Sequence, residues 1–229
     1  MKYNLSILLI LFGFIGYAQR EHHVDLVFSS GSTIKGLTAN VVKNFKVLPS
    51  EKLLLGVGIR GGFIFGSSTK YITAPAKHTG SSDAIDTLVV AKPQFFNANI
   101  SLNAAYHFTP KIAVGANLDF IGLAFGFKRD ADYYPSLASQ NEATPRQKLS
   151  GETVKPQRNS IFLTGDRNKG TLVSEVFIRV TPIERFSIKA GYSFIITEYT
   201  TSRRIGHNDN YRFRNTTSGF MIGLGYNFI

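Results

Sequence analysis

Polar and apolar residues alternate one for one over long stretches of this chain, most regularly in residues 96–108. Phe96, Ala98, Ile100, Leu102, Ala104, Tyr106 and Phe108 fall on one side of an extended backbone there, and Asn97, Asn99, Ser101, Asn103, Ala105 and His107 on the other. A period of two predicts a strand whose faces meet different surroundings. The pattern recurs in residues 53–65, where Leu55, Val57, Ile59, Phe63 and Phe65 oppose Gly56, Gly58, Arg60 and Gly62. In residues 112–127, Val114, Ala116, Leu118 and Phe120 oppose Ala113, Gly115, Asn117 and Asp119. Residues 172–180 set Val176, Ile178 and Val180 against Glu175, Phe177 and Arg179, and residues 186–196 set Ile188, Ala190, Tyr192 and Phe194 against Lys189, Gly191 and Ser193. The last run, 212–229, carries Phe220, Ile222, Leu224, Tyr226 and Phe228 opposite Gly219, Met221, Gly223, Gly225 and Asn227. Large apolar residues on one face and small or polar ones on the other suit a narrow barrel with lipid outside and a crowded lumen. Each run is long enough to cross a bilayer, for which about 9 to 11 tilted residues suffice.

The connections sort by length. Residues 48–52, 109–111 and 181–185 are short turns carrying Pro49, Pro110 and Pro182, which pre-set a turn and cannot continue a ladder. Residues 67–92, 128–170 and 201–211 are long, polar and rich in Ser, Thr, Asn and Gly. Short turns at one rim and long loops at the other are the mark of outer-membrane barrels, with the turns periplasmic and the loops outside. Residues 138–155 are expected to be the most accessible part of the loops. With both termini periplasmic the strand number is even. Six strands lie after residue 52, so residues 22–48 supply two, 23–29 and 34–47, joined by Ser30-Gly31-Ser32-Thr33. Lys43, in phase with Val41 and Phe45, then snorkels toward the periplasmic rim. The fold expected is all-β: an eight-stranded, antiparallel, up-and-down transmembrane barrel. Phe45, Phe108, Phe186, Tyr226 and Phe228 near the turns, and Phe65, Phe95, Phe96, Phe125, Phe127 and Tyr199 near the loops, form its two aromatic girdles.

Composition adds a route and a charge. Residues 1–18 have Lys2, an apolar core from Leu5 to Ile15 and a small-x-small junction at Gly16-Tyr17-Ala18, which reads as a cleaved signal peptide. Residues 19–229 form the single barrel domain. There is no cysteine, so neither a disulfide nor a lipoprotein anchor is available. The mature chain carries 25 basic and 15 acidic side chains, a formal net charge of +10. That balance favours anionic partners; in an exported chain without a nucleic-acid-binding motif these are phosphorylated lipid or polysaccharide.

The ending Gly223-Leu224-Gly225-Tyr226-Asn227-Phe228, with Tyr226 two residues before Phe228, resembles the terminal signal that the barrel-assembly machinery reads, although Ile229 follows where the aromatic usually ends the chain. With the Ala18-Gln19 junction and the strand pattern, the mature chain resembles the small outer-membrane β-barrel domain proteins of Bacteroidota-type bacteria, with an architecture like the OmpA/OmpX-type eight-stranded barrels. The resemblance implies an integral outer-membrane location, with a monomer as the expected state. It implies no one shared activity.

Candidate chemistry lies in two places. Strand phase turns Arg60, Asp119 and Glu175 into the lumen near mid-height, with Arg60 expected to bridge the carboxylates; Arg179, Lys189, Lys46 and His107 form a lower basic layer that would find Glu184, Glu51 or water. At the outer rim, Arg203, Arg204, Arg212 and Arg214 flank one short loop with Asp209 as the sole acid, a cluster suited to lipopolysaccharide phosphates. Neither a cofactor nor a metal site is expected; His22 and His23, adjacent on a strand, point to opposite faces. A structural or surface-interaction protein is the leading expectation. Two other classes stay open. One is a lipid A-modifying enzyme, built on His78 with Ser81, Ser82, Asp83 and Asp86 or on His207 with Asp209; the other is a narrow pore or a path for small hydrophobic molecules.

Overall fold

The computed structural model describes residues 20–47, 52–74, 82–163 and 167–228. The predicted signal peptide, turn residues 48–51, and His78, Ser81 and Ile229 lie outside them. The described residues form thirteen strands: Arg20–Gly31 (β1), Ile34–Lys46 (β2), Leu53–Gly66 (β3), Thr69–Thr73 (β4), Thr87–Val90 (β5), Gln94–Thr109 (β6), Ile112–Phe125 (β7), Arg129–Tyr134 (β8), Leu149–Pro156 (β9), Asn159–Ile161 (β10), Leu172–Ile183 (β11), Phe186–Thr201 (β12) and Arg212–Phe228 (β13). A four-residue helix, Leu137–Gln140 (α1), lies between β8 and β9. All pairings are antiparallel and belong to one sheet.

The long strands close on themselves. The pairings run β1–β2–β3–β6–β7–β11–β12–β13 and back to β1, with Val24 opposite both Tyr226 and Val41 at the seam. Closure leaves no open edge. Outward residues Leu26, Val41, Ile59, Ile100, Ile178 and Leu224 are between 46% and 68% exposed, whereas their inward neighbours Asp25, Asn40, Arg60, Asn99 and Arg179 are buried. Glycine makes the close approach possible: a Cβ on Gly56 would sit 2.1 Å from the Asn44 amide oxygen. On β7 the alternation slips by one residue where Ile100 and Ser101 face Ile121 and Asp119, a bulge that turns both Phe120 and Ile121 outward. The Thr109 hydroxyl accepts from the amides of Lys111 and Ile112 and fixes one tight turn.

Five further strands correct the expected count of eight, because residues 67–92 and 128–170 are not open loops. β4, β5, β8 and β9 pair in series, with β4 joining β13 at Phe213 and Arg214 and β9 joining β12 at residues Tyr199 to Thr201. A second, six-stranded ring results, β12–β13–β4–β5–β8–β9, standing on the first and sharing its two last strands. β10 pairs with the upper end of β7. Within this upper ring lies the main apolar core: Tyr71, Leu88, Val90, Tyr133, Val154, Tyr199 and Phe213, continuous with Ile34, Ile64, Phe95 and Ile195 from the ring below. Phe95 and Tyr199 therefore face inward and leave the girdle assigned to them. The segment expected to be most exposed, 138–155, is exposed only in part, since Ser139, Glu152 and Val154 are buried.

Candidate functional site

The lumen of the lower ring holds one continuous ionic chain. Arg60 contacts Asp119 at 3.0 Å and Glu175 at 3.1 Å, and donates to the Val173 carbonyl at 2.9 Å. Asp119 also accepts from the Asn99 amide (2.7 Å) and the Val173 N–H (2.9 Å). Glu175 accepts from Asn117 (2.7 Å) and from Lys189 Nζ (2.9 Å), which continues to Asp25 at 3.3 Å. Asp25 meets Arg179 at 3.4 Å, and Arg179 donates to His23 Nε2 at 2.9 Å. Lys189 and Arg179 both stand over the Phe177 ring, 4.1 Å and 5.3 Å from its centroid. Three cations thus match three carboxylates in a water-poor interior, where a single leftover charge would cost several kcal/mol.

Arg60 lies between the two carboxylates named for it from the sequence. The separate lower layer is corrected: Lys189 joins Glu175, and both Lys189 and Arg179 meet Asp25 instead of Glu184, which is exposed, or Glu51, which is outside the described residues. The physical reason is an acid not counted in the lumen: Arg179 and Lys189 lie directly opposite each other, Asp25 stands between them from β1, and the long Lys189 side chain also reaches Glu175. Asp25 and His23 were missed, although both fall in phase with Val27 and Ser29 on the small, inward face of β1. His22 is exposed where His23 is buried, and His107 is half-buried opposite Ala113 near the lower end of β6.

Carboxylates also hold the upper ring together. Asp86, fully buried, accepts from the Ser136 N–H (2.8 Å), the Ser139 hydroxyl (2.6 Å) and the His207 N–H (2.7 Å), tying three connections over the open end. Glu142 accepts from Arg146 Nε (3.1 Å) and the Asn208 N–H (3.1 Å) and pairs with His207 Nδ1 (2.7 Å). Partial burial pushes the Glu142 carboxyl up, but these donors outweigh it and hold its pKa below the ordinary value. Arg146 goes the other way, held up chiefly by its hydrogen bond to Glu142, with burial opposing.

Of the four rim arginines, two are committed to one buried carboxylate. Arg212 and Arg214 both bind Glu198, at 2.9 Å and 2.8 Å, and Glu198 also accepts the Gly170 N–H. Arg203 is 68% exposed and paired with Glu152, while Arg204 stacks over Tyr211 at 6.0 Å. Tyr226 and Phe228 pack edge-to-face at 5.2 Å, and Phe186 meets Tyr226 at 5.3 Å. For the enzyme alternative, Asp86 and His207 are used as lid staples and Asp209 pairs with Arg146 at 3.0 Å. Among the described residues, no group of three metal-ligating side chains converges.

No family model matches the chain, and no curated protein matches it. Among solved structures it is similar to Neisserial surface protein A (13% identity, 91% of this chain and 97% of that one, TM-score 0.40). It is also similar to a major outer membrane protein of Thermus thermophilus (13%, 92% and 100%, 0.41) and to Ail, the attachment invasion locus protein of Yersinia pestis (12%, 93% and 100%, 0.35).

Proposed function

We propose that this chain is an integral outer-membrane β-barrel protein with a structural or surface-interaction role, in which the eight strands of the lower ring span the bilayer and the six-stranded ring stands outside the cell. One observation carries the reading: the two rings are built inside out relative to each other. The lower ring exposes Leu26, Ile59, Ile222 and Leu224 and hides Arg60, Asp119 and Glu175, whereas the upper ring hides Leu88, Tyr133 and Phe213. Apolar outside and polar inside suits hydrocarbon, and the reverse suits water. The lumen, filled by mutually paired charges, argues for a plug over a channel. Surface contact then falls to the upper ring, where Arg203 and Arg204 are the rim arginines left to meet lipopolysaccharide phosphates.

The test is an epitope tag inserted within residues 140–148, read on intact and on permeabilised cells, together with planar-bilayer recordings of the purified protein. Staining of intact cells and absence of large steady conductance are expected. A tag visible only after permeabilisation would sink the topology, and a stable open-channel current would sink the plug.

A further inference from the structure

Where β9 leaves β12 and crosses to β7, the wall of the protein is notched. The cleft there has a volume of about 600 Å³ and lies between Phe125 at the top of β7 and Thr200, Ser202 and Tyr211 beside β12. Its floor is the run Lys155-Pro156-Gln157-Arg158. Lys155 and Arg158 are exposed, and no carboxylate lines the cleft, so its two charges are both positive. Aromatic and hydroxyl-bearing side chains surround a pair of cations at the height where the outward apolar face of β7 ends.

A second depression lies lower on the same outer wall. Ala104, Ala116, Ala190 and Gly191 leave a hollow of about 800 Å³ beside Tyr106 and Tyr192, with no charged side chain in its lining. On β12 the two sites are joined by outward Ile196 and Phe194. Thr200 and Tyr192 are eight residues apart, about 26 Å along the strand and about 20 Å down for a tilt near 40°. That drop is close to a headgroup layer plus one leaflet, about half of a 30 Å hydrocarbon core.

We infer that this wall binds one phosphorylated lipid of the outer leaflet, its phosphate held by Lys155 and Arg158 and one acyl chain running past Phe194 into the alanine-lined hollow. The assignment rests on the membrane reading above and adds to it a site distinct from Arg203 and Arg204. Two cations alone would serve any anion, and the hollow alone any hydrocarbon. Their alignment on one wall, a leaflet apart, selects a molecule with both ends.

The experiment uses full-length protein purified in mild detergent, with bisphosphoryl lipid A as the probe and native mass spectrometry as the readout. Replacing Lys155→Ser and Arg158→Ser together should reduce retained lipid by about tenfold or more, since charge-assisted contacts to phosphate are lost. Ala190→Phe, which fills the hollow without touching the lumen, should reduce it about threefold. Dephosphorylated lipid A should bind the parent no more strongly than bisphosphoryl lipid A binds the double variant. Unaltered retention in the Lys155/Arg158 variant overturns the site; displacement by inorganic phosphate with no effect of Ala190→Phe overturns the lipid and leaves an anion cleft. Heat-modifiable gel mobility is read on every sample. Loss of that mobility in the parent would count against the membrane reading itself, whereas normal mobility with unchanged lipid counts against this site alone.

Discussion

The two rings share β12 and β13 yet solve opposite problems with them. On the lower half of β12, Ser187, Lys189 and Ser193 point inward and Ile188 and Phe194 outward; on its upper half, Ile195 and Tyr199 point inward while Glu198 takes the outer side beneath Arg212 and Arg214. β13 turns over likewise, from inward Gly223 and Gly219 to inward Phe213. A single strand can therefore carry a polar lumen and an apolar core in succession, provided its hydrophobic phase flips where the surroundings change. In the proposed topology the flip, near Ile195 on one strand and Thr217 on the other, marks the outer limit of the hydrocarbon. The lower interior is held by directional ion pairs, and the upper one by packing with Asp86 and Glu142 tying the connections above it.

The largest effect should come from the ionic interior. Arg60→Ala leaves Asp119 and Glu175 without their common cation and should destabilise the lower ring by about 3 to 5 kcal/mol, read as a lower urea midpoint in detergent. A variant that unfolds like the parent would mean that lumen water or Lys189 takes over, and the contrast between ionic and packed interiors would fail. In the upper ring, Leu88→Ala should cost about 2 to 4 kcal/mol by leaving a cavity. Hydrogen exchange should then rise in β4, β5, β8 and β9 and stay low in β6, β7 and β11. Uniform loss of protection would make the two rings one cooperative unit. The smallest effect concerns the lid. The depressed Glu142 pKa means its contribution is complete above the ordinary glutamate value of 4.5 and disappears as pH falls below it toward the lowered folded value. Exchange at Asn208 should quicken in that acid window, and Glu142→Gln should already show the quickening at neutral pH.

The spanning strands were legible because they are long and keep a period of two: residues 96–108 alone define both faces of β6. The upper ring was not. β5 is four residues, Thr87 to Val90, and β4 five, too short for alternation to stand out from Ser- and Thr-rich surroundings. Its closure also depends on pairing with a strand more than a hundred positions away, Ile72 lying opposite Arg214. In the lumen, Arg60, Asp119 and Glu175 could be placed together because long strands fixed their phase. Asp25 lay inside the predicted strand 23–29 but was lost because no face was assigned to so short a run. At the rim, the partner of Arg212 and Arg214 was not foreseen, for a different reason. A run of like charges looks free until its acid is known, and Glu198 lies just past the predicted strand 186–196 and before the predicted loop 201–211.

The sharing of β12 and β13 also imposes an order in time. β9 and β4 each need one of them as partner, so the hairpin of β4 and β5 and the pair of β8 and β9 have no edge to join until β12 and β13 are in place. Until those strands arrive, the upper core has nothing to close around it, and Leu88, Tyr133 and Val154 stay within reach of a protease. Burial of that core thus follows placement of the shared strands, and resistance of residues 129–156 to digestion serves as a clock for completed closure of both rings.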